Sequence, residues 1–121
     1  MILGLRTTIY PVADLATGKD WYAKVLNQAP YFDEPFYVGF NVGGFELGLI
    51  PDGVAGTHGA QALWGVDDAR STMRKLLELG AQELEPVTEV GGGILVASVQ
   101  DPFGNRFGII QNPHFDASTV R

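Results

Sequence analysis

Few side chains here can do chemistry, and their scarcity is the first constraint. The 121 residues include no cysteine, which excludes disulfides, thiolate metal sites and cysteine nucleophiles. Imidazole, the obvious catalytic group in such a chain, occurs twice. His58 lies in the connector Gly56-Thr57-His58-Gly59, and His114 follows Asn112-Pro113 in the tail. Loop and tail positions suit exposed histidines better than catalytic ones. The sequence has no nucleophile elbow, phosphate-cradling glycine loop or His-Glu-x-x-His run. The cluster Gly91-Gly92-Gly93 lacks the following helix that phosphate binding requires. What remains is a set of carboxylates and a generous supply of aromatics, with Tyr31-Phe32 and Phe36-Tyr37 close together.

The elements that must position these groups are legible from period and punctuation. Leu5 to Val12 is rich in Thr, Ile, Tyr and Val and reads as a strand that Pro11 helps to end. Asp14 caps a helix in which Leu15, Trp21, Tyr22, Val25 and Leu26 form an apolar stripe, and the helix closes near Asn27. Alternation then puts Phe36, Val38, Phe40 and Val42 on one face of a strand and Tyr37 and Asn41 on the other. Gly43-Gly44 makes a hairpin turn into a strand from Phe45 to Ile50.

After the connector the same order restarts. Ala60 to Val66 is a strand, and Asp67-Asp68 cap a helix through Met73, Leu76 and Leu77 that Gly80 stops. Strands follow at Glu83 to Val90, Ile94 to Gln100 and Arg106 to Gln111. Overlaying Val12-Ala13-Asp14 on Val66-Asp67-Asp68 superposes two strand-helix-strand-strand-strand units at a shift of about 53 residues. The predicted architecture is α+β: two βαβββ modules forming a concave mixed-sheet cup with helices on the outer faces. Module one spans 3–50, the connector 51–59, module two 60–111 and the tail 112–121, all in a single domain, because neither small sheet buries enough apolar area alone.

In the second module, Asp101-Pro102-Phe103-Gly104-Asn105 is a turn in which Pro fixes φ and Gly supplies positive φ. Together with Val12-Ala13-Asp14-Leu15, Trp21-Tyr22 and Val25-Leu26-Asn27, it resembles the pattern of the glyoxalase, bleomycin-resistance and dioxygenase proteins of the vicinal oxygen chelate class. The likeness runs from about Leu5 to Gln111, with Asn27 where the family usually has glycine. It implies a glyoxalase-like fold, and a metal site whose four donors come from the first and last strands of each module. It places those positions at Thr7, Glu46, Gln61 and Gly108. A neutral hydroxyl, one carboxylate, one amide and no side chain make a poor set for a divalent ion, which usually takes several carboxylates or imidazoles. The expectation is no metal and no cofactor.

Glu46 has two readings: a general base or ligand contact facing the cup, or a solvated strand carboxylate. The resemblance puts Thr7, Gln61 and Gly108 around it, and strand alternation counted from Thr7 and Gln61 adds Leu5, Ile9 and Leu63; with Tyr37, Asn41 and Ile110 these are assigned to ligand binding, which suits an apolar or aromatic ligand with one polar handle. The expected function is metal-independent small-molecule binding of the glyoxalase and bleomycin-resistance type, including sequestration of an antibiotic. The alternative is a glyoxalase-like lyase, isomerase or dioxygenase with a reduced metal site and Glu46 as catalytic base. A net charge of −6 argues against nucleic acid as a partner. No apolar run approaches a membrane span, so the chain reads as cytoplasmic. Open sheet edges and surplus aromatics predict a homodimer.

Overall fold

The computed structural model describes residues 1–54 and 59–120. His58, a sequence candidate in the connector, lies outside the described residues. The chain divides into two compact units, Thr7–Gln61 with the tail from Asp116, and Met1–Arg6 with Ala62–Phe115. Among the described residues no helix is long and apolar enough to cross a membrane.

The first unit contains α1 (Leu15–Leu26), β2 (Phe32–Glu34), β3 (Tyr37–Val42), β4 (Phe45–Ile50) and most of β1 (Ile2–Pro11). Its strands lie in the order β2-β3-β4-β1, with β3 antiparallel to both β2 and β4, and β1 parallel to β4. The Asp14 side chain accepts from Thr17 N–H to start α1, and Asn27 ends it in the left-handed region at φ 53°, the geometry that makes Asn an acceptable replacement for glycine. Gly43 and Gly44, at φ 64° and 97°, turn the β3-β4 hairpin, and the Asn41 side-chain oxygen closes it by accepting from Gly44 N–H at 2.9 Å. Val38, Phe40 and Leu49 form the core under α1, packed by Val12, Leu15, Tyr22, Ala23, Leu26 and Leu47.

Two expectations change here. Trp21 and Val25 were placed on the apolar stripe of α1, yet they are 58% and 57% exposed. At 100° per residue, Tyr22 and Leu26 each fall within about 20° of Leu15, whereas Trp21 and Val25 sit roughly 80° or more from it around the flank. The short strand β2 also escapes the alternation rule, since three residues before Pro35 are too few to show a period of two.

The second unit holds β5 (Gln61–Val66, joined from Ala62), α2 (Ala69–Glu78), β6 (Gln82–Glu89), β7 (Leu95–Gln100) and β8 (Arg106–Gln111). The order is β5-β8-β7-β6, with β5 parallel to β8 and the others antiparallel. Asp68 caps α2 by accepting from Arg70 and Ser71 N–H at 3.1 Å each. Val66, Ala69, Met73, Ala97, Val99 and Ile109 are the buried core between α2 and the sheet. The repeated βαβββ order is thus present in both halves, with mixed sheets and one helix per module.

The turn between β7 and β8 is held by Asp101, whose Oδ1 accepts from Phe103 and Asn105 N–H at 2.8 Å each. Those N–H donors hold its carboxyl below the ordinary carboxylate range. Gly104 sits at φ 90°, and a Cβ there would meet only Gln100 Nε2, at 4.0 Å. Conformation alone therefore opposes a side chain at this position. Gly104→Val is expected to destabilise the chain by about 1 kcal/mol or more, because a β-branched residue resists positive φ. Chemical denaturation checks this, and a midpoint unchanged from wild type would contradict the turn geometry.

Candidate functional site

Packing of Val38, Phe40, Leu47 and Leu49 against α1 sends their alternate neighbours to the face opposite α1. That face carries Tyr37, Gly39 and Asn41 from β3, Glu46 and Gly48 from β4, and Thr7 and Ile9 from β1. The register aligns Thr7, Glu46 and Asn41 in one row, and Ile9, Gly48 and Gly39 in the next.

Glu46 is the centre of the face. Its Oε2 accepts a hydrogen bond from Tyr37 Oη, and its Oε1 accepts one from Tyr31 Oη. Both phenol rings lie over glycine. A Cβ at Gly48 would come within 2.6 Å of Tyr37 Cζ. One at Gly39 would lie 3.3 Å from Tyr31 Cε1, Tyr37 Cε2 and Glu46 Oε1 alike. The two glycines form a floor on which the rings approach the backbone and reach the carboxyl.

Burial raises the Glu46 carboxyl to about 7 and the Tyr37 hydroxyl to about 12. Near neutrality Glu46 therefore exchanges between its charged and neutral forms, while Tyr37 stays a protonated donor. A carboxyl in this state can accept from a ligand hydroxyl or ammonium when ionised, donate when protonated, and move a proton at neutral pH.

The other sequence candidates fall as follows. Thr7 is buried beside Glu46, and Ile9 is half-buried beside Gly48. Leu5 is 51% exposed. Asn41 shares the row of Glu46, but its side-chain oxygen is engaged by Gly44 in the hairpin. Gln61 opens β5 and is half-buried. In the second unit Leu63 pairs with Gly108, and its side chain covers the place a Gly108 Cβ would take. Ile110 pairs with Gly65, over which the Arg6 side chain lies, its guanidinium 3.8 Å from the Phe115 ring centroid. As strand alternation predicts, Tyr10 packs against Tyr22 of α1, at 5.9 Å between centroids. His114 meets Gly92 O through its ring Nε2 at 2.7 Å and so pins the triple-glycine turn.

Tyr31 reaches Glu46 without having been a candidate in the sequence, where it counts among the surplus aromatics. The signal was available in Gly39 and Gly48, mid-strand glycines that mark close approach of another group. Two hollows, of about 260 Å³ beside Tyr10, Val12 and Tyr22 and about 340 Å³ beside Leu15, Lys19 and Val38, border α1, and neither includes Glu46.

The metal expected of many relatives does not fit these residues. The Glu46 carboxyl already accepts two phenol hydrogens, Thr7 is a neutral hydroxyl, and Gly108 offers nothing. Among the described residues no three of His, Cys, Asp and Glu converge.

A family model described as Glyoxalase/Bleomycin resistance protein/Dioxygenase superfamily matches residues 4–109. No curated protein matches the chain in sequence. Among solved structures, methylmalonyl-CoA epimerase from Mycobacterium tuberculosis is 18% identical, with a TM-score of 0.69 over 91% of this chain and 88% of that one. A Streptomyces coelicolor methylmalonyl-CoA epimerase is 12% identical, with a TM-score of 0.73 over 97% and 99%. Homoprotocatechuate 2,3-dioxygenase from Brevibacterium fuscum is 20% identical, with a TM-score of 0.72 over 92% of this chain and 37% of that one. At these identities the likeness is one of fold, and it is the glyoxalase-like α+β fold.

The raised Glu46 value has a consequence for stability. Below the ordinary value of 4.5 the group is neutral whether the chain is folded or unfolded, and its contribution to stability is fully present. As pH climbs from 4.5 through about 7, the unfolded state ionises first and that contribution is lost. Glu46→Gln removes the titration. The stability of the variant relative to wild type is expected to rise across that window and to be flat on either side. Thermal melts at half-unit pH steps check this, and a difference independent of pH would contradict a buried, raised carboxyl.

Proposed function

We propose that this chain, which belongs to the Glyoxalase/Bleomycin resistance protein/Dioxygenase superfamily, is a metal-independent small-molecule-binding protein. It takes an apolar or aromatic ligand whose one polar handle bonds to Glu46. The observation that carries this reading is the Glu46 carboxyl held between two tyrosine hydroxyls on the sheet face opposite α1. Tyr37, Thr7 and Ile9 supply a mostly apolar surround, with Asn41 at its margin, and Leu5 is the next position of β1 on the same alternation. Leu63, Gly108 and Ile110 are the matching positions of the second module, and Gln61 stands at the start of β5. Sequestration of an antibiotic is one form such binding takes in the superfamily, and it needs no catalytic group.

A second reading is favoured by the Glu46 carboxyl lying at about 7. That value suits a general base that takes a proton from carbon or oxygen and returns it at neutral pH. Tyr37, whose one O–H donates to Glu46 Oε2, would then hold the carboxyl in place for that transfer.

Native mass spectrometry of the purified chain is expected to show a non-covalent small-molecule adduct. Calorimetry with that compound should give binding roughly tenfold or more weaker in Glu46→Gln, the loss expected when a hydrogen bond to a charged group is removed. Equal binding by both proteins would sink the assignment. Micromolar binding of one Zn, Ni, Mn or Fe ion per chain, with isomerase, lyase or dioxygenase turnover, would replace it with the enzyme reading.

The reading includes a homodimer. In the first unit β2 is a three-residue edge strand that begins at Phe32 and is followed by Phe36, and these are 38% and 65% exposed. Exposed aromatics beside an edge favour an interface, and two-fold pairing closes it. Light scattering at micromolar concentration is expected to give twice the chain mass of 13.0 kDa. A mass near 13.0 kDa would exclude the dimer.

A further inference from the structure

We propose that Tyr31 is an internal occupant of the Glu46 site: its phenol hydroxyl holds the carboxylate oxygen that a phenolic ligand takes on binding. This inference rests on the reading of Glu46 as a ligand site and names the ligand class. The two tyrosines that reach Glu46 are not equivalent. Tyr37 belongs to β3, is half-buried, and is seated over Gly39 and Gly48. It is part of the wall.

Tyr31 precedes β2 and is 64% exposed. Its backbone is fixed, because Tyr31 N–H donates to Gly39 O at 3.0 Å. Its ring is not confined in the same way, so a rotation about χ1 alone would lift the hydroxyl from Glu46 Oε1 without moving the strand. The group that would be lifted off is a phenol whose Cε1 lies over Gly39. The place it vacates has an acceptor at one end and, along the ring, the backbone of Gly39 and the Tyr37 ring edge. A planar aromatic bearing one hydroxyl reproduces each of those contacts, whereas a carboxylate would set a negative charge against Glu46.

Calorimetry with 4-methylphenol and with toluene, on the full chain, tests this. Tyr31→Phe keeps the ring and removes the competing hydroxyl. We expect it to bind 4-methylphenol about tenfold more tightly than wild type, as one hydrogen bond need no longer be displaced. Toluene, which cannot restore the hydrogen bond to Glu46, should bind each protein about tenfold more weakly than 4-methylphenol, and adding Glu46→Gln to Tyr31→Phe should cancel the gain. In the wild-type chain, without any substitution, the carbon resonances of the Glu46 carboxyl and the Tyr31 ring should move together as 4-methylphenol saturates. Equal affinity in wild type and Tyr31→Phe, or a Tyr31 signal that stays fixed while Glu46 shifts, would overturn the occupant role and leave Glu46 standing as a ligand site. A Glu46 signal unmoved by 4-methylphenol in both proteins would overturn the phenol class. Failure of the underlying reading registers separately, as undiminished binding of the co-purifying compound by Glu46→Gln.

Discussion

A carboxyl group on an otherwise apolar sheet face has to be stabilised or it disrupts the face, and the first module is arranged around that constraint. One helix dries one side of the sheet, where Val38, Phe40 and Leu49 are buried. The other side receives Glu46, and the chain meets it with two phenols rather than with a cation. A phenol O–H donates one hydrogen bond and brings a ring that shields the carboxyl from water, so burial and partial satisfaction come from the same side chains. Neutral donors satisfy the carboxylate less fully than an arginine would. Burial therefore dominates and lifts the group to about 7.

That balance explains the glycines. Rings can lie flat enough to reach Glu46 only if the strands beneath them lack side chains, which Gly39 and Gly48 provide at paired positions in adjacent strands. Glycine in a strand interior weakens it, through lost packing and a larger entropy cost. Here the weakened strands are clamped by the core on the helix side. The second module uses the same arrangement differently: Gly108 is covered by Leu63, and Gly65 by Arg6. Its buried Ser98 donates to Glu85 at 2.7 Å, and Glu85 is ion-paired with Arg106. A duplicated scaffold thus supports two unlike faces, one centred on a titrating carboxyl and the other on packed apolar and paired polar groups.

Much of the fold was legible in the sequence because it depends on local rules. Helix caps at Asp14 and Asp68, the left-handed Asn27, the Gly43-Gly44 hairpin and Gly104 in its turn each follow from backbone chemistry that a single residue type announces. The strand faces were legible too, since a period of two is hard to mistake where Val38 and Phe40 alternate with Tyr37 and Gly39. Trp21 and Val25 depart from the expected stripe because the apolar residues of α1 span more of the helix than the sheet covers. Tyr31 was missed for a different reason. It lies outside any strand, and its contact with Glu46 joins residues whose meeting depends on the turn after α1 and on two glycines.

The whole face depends on Glu46 being a buried carboxyl whose proton exchanges near neutrality. Its side-chain carboxyl carbon, followed by nuclear magnetic resonance from pH 3 to pH 9, is expected to show a single titration centred at about 7. A midpoint near 4.5, the ordinary value for glutamate, would show a solvated strand carboxylate and contradict it.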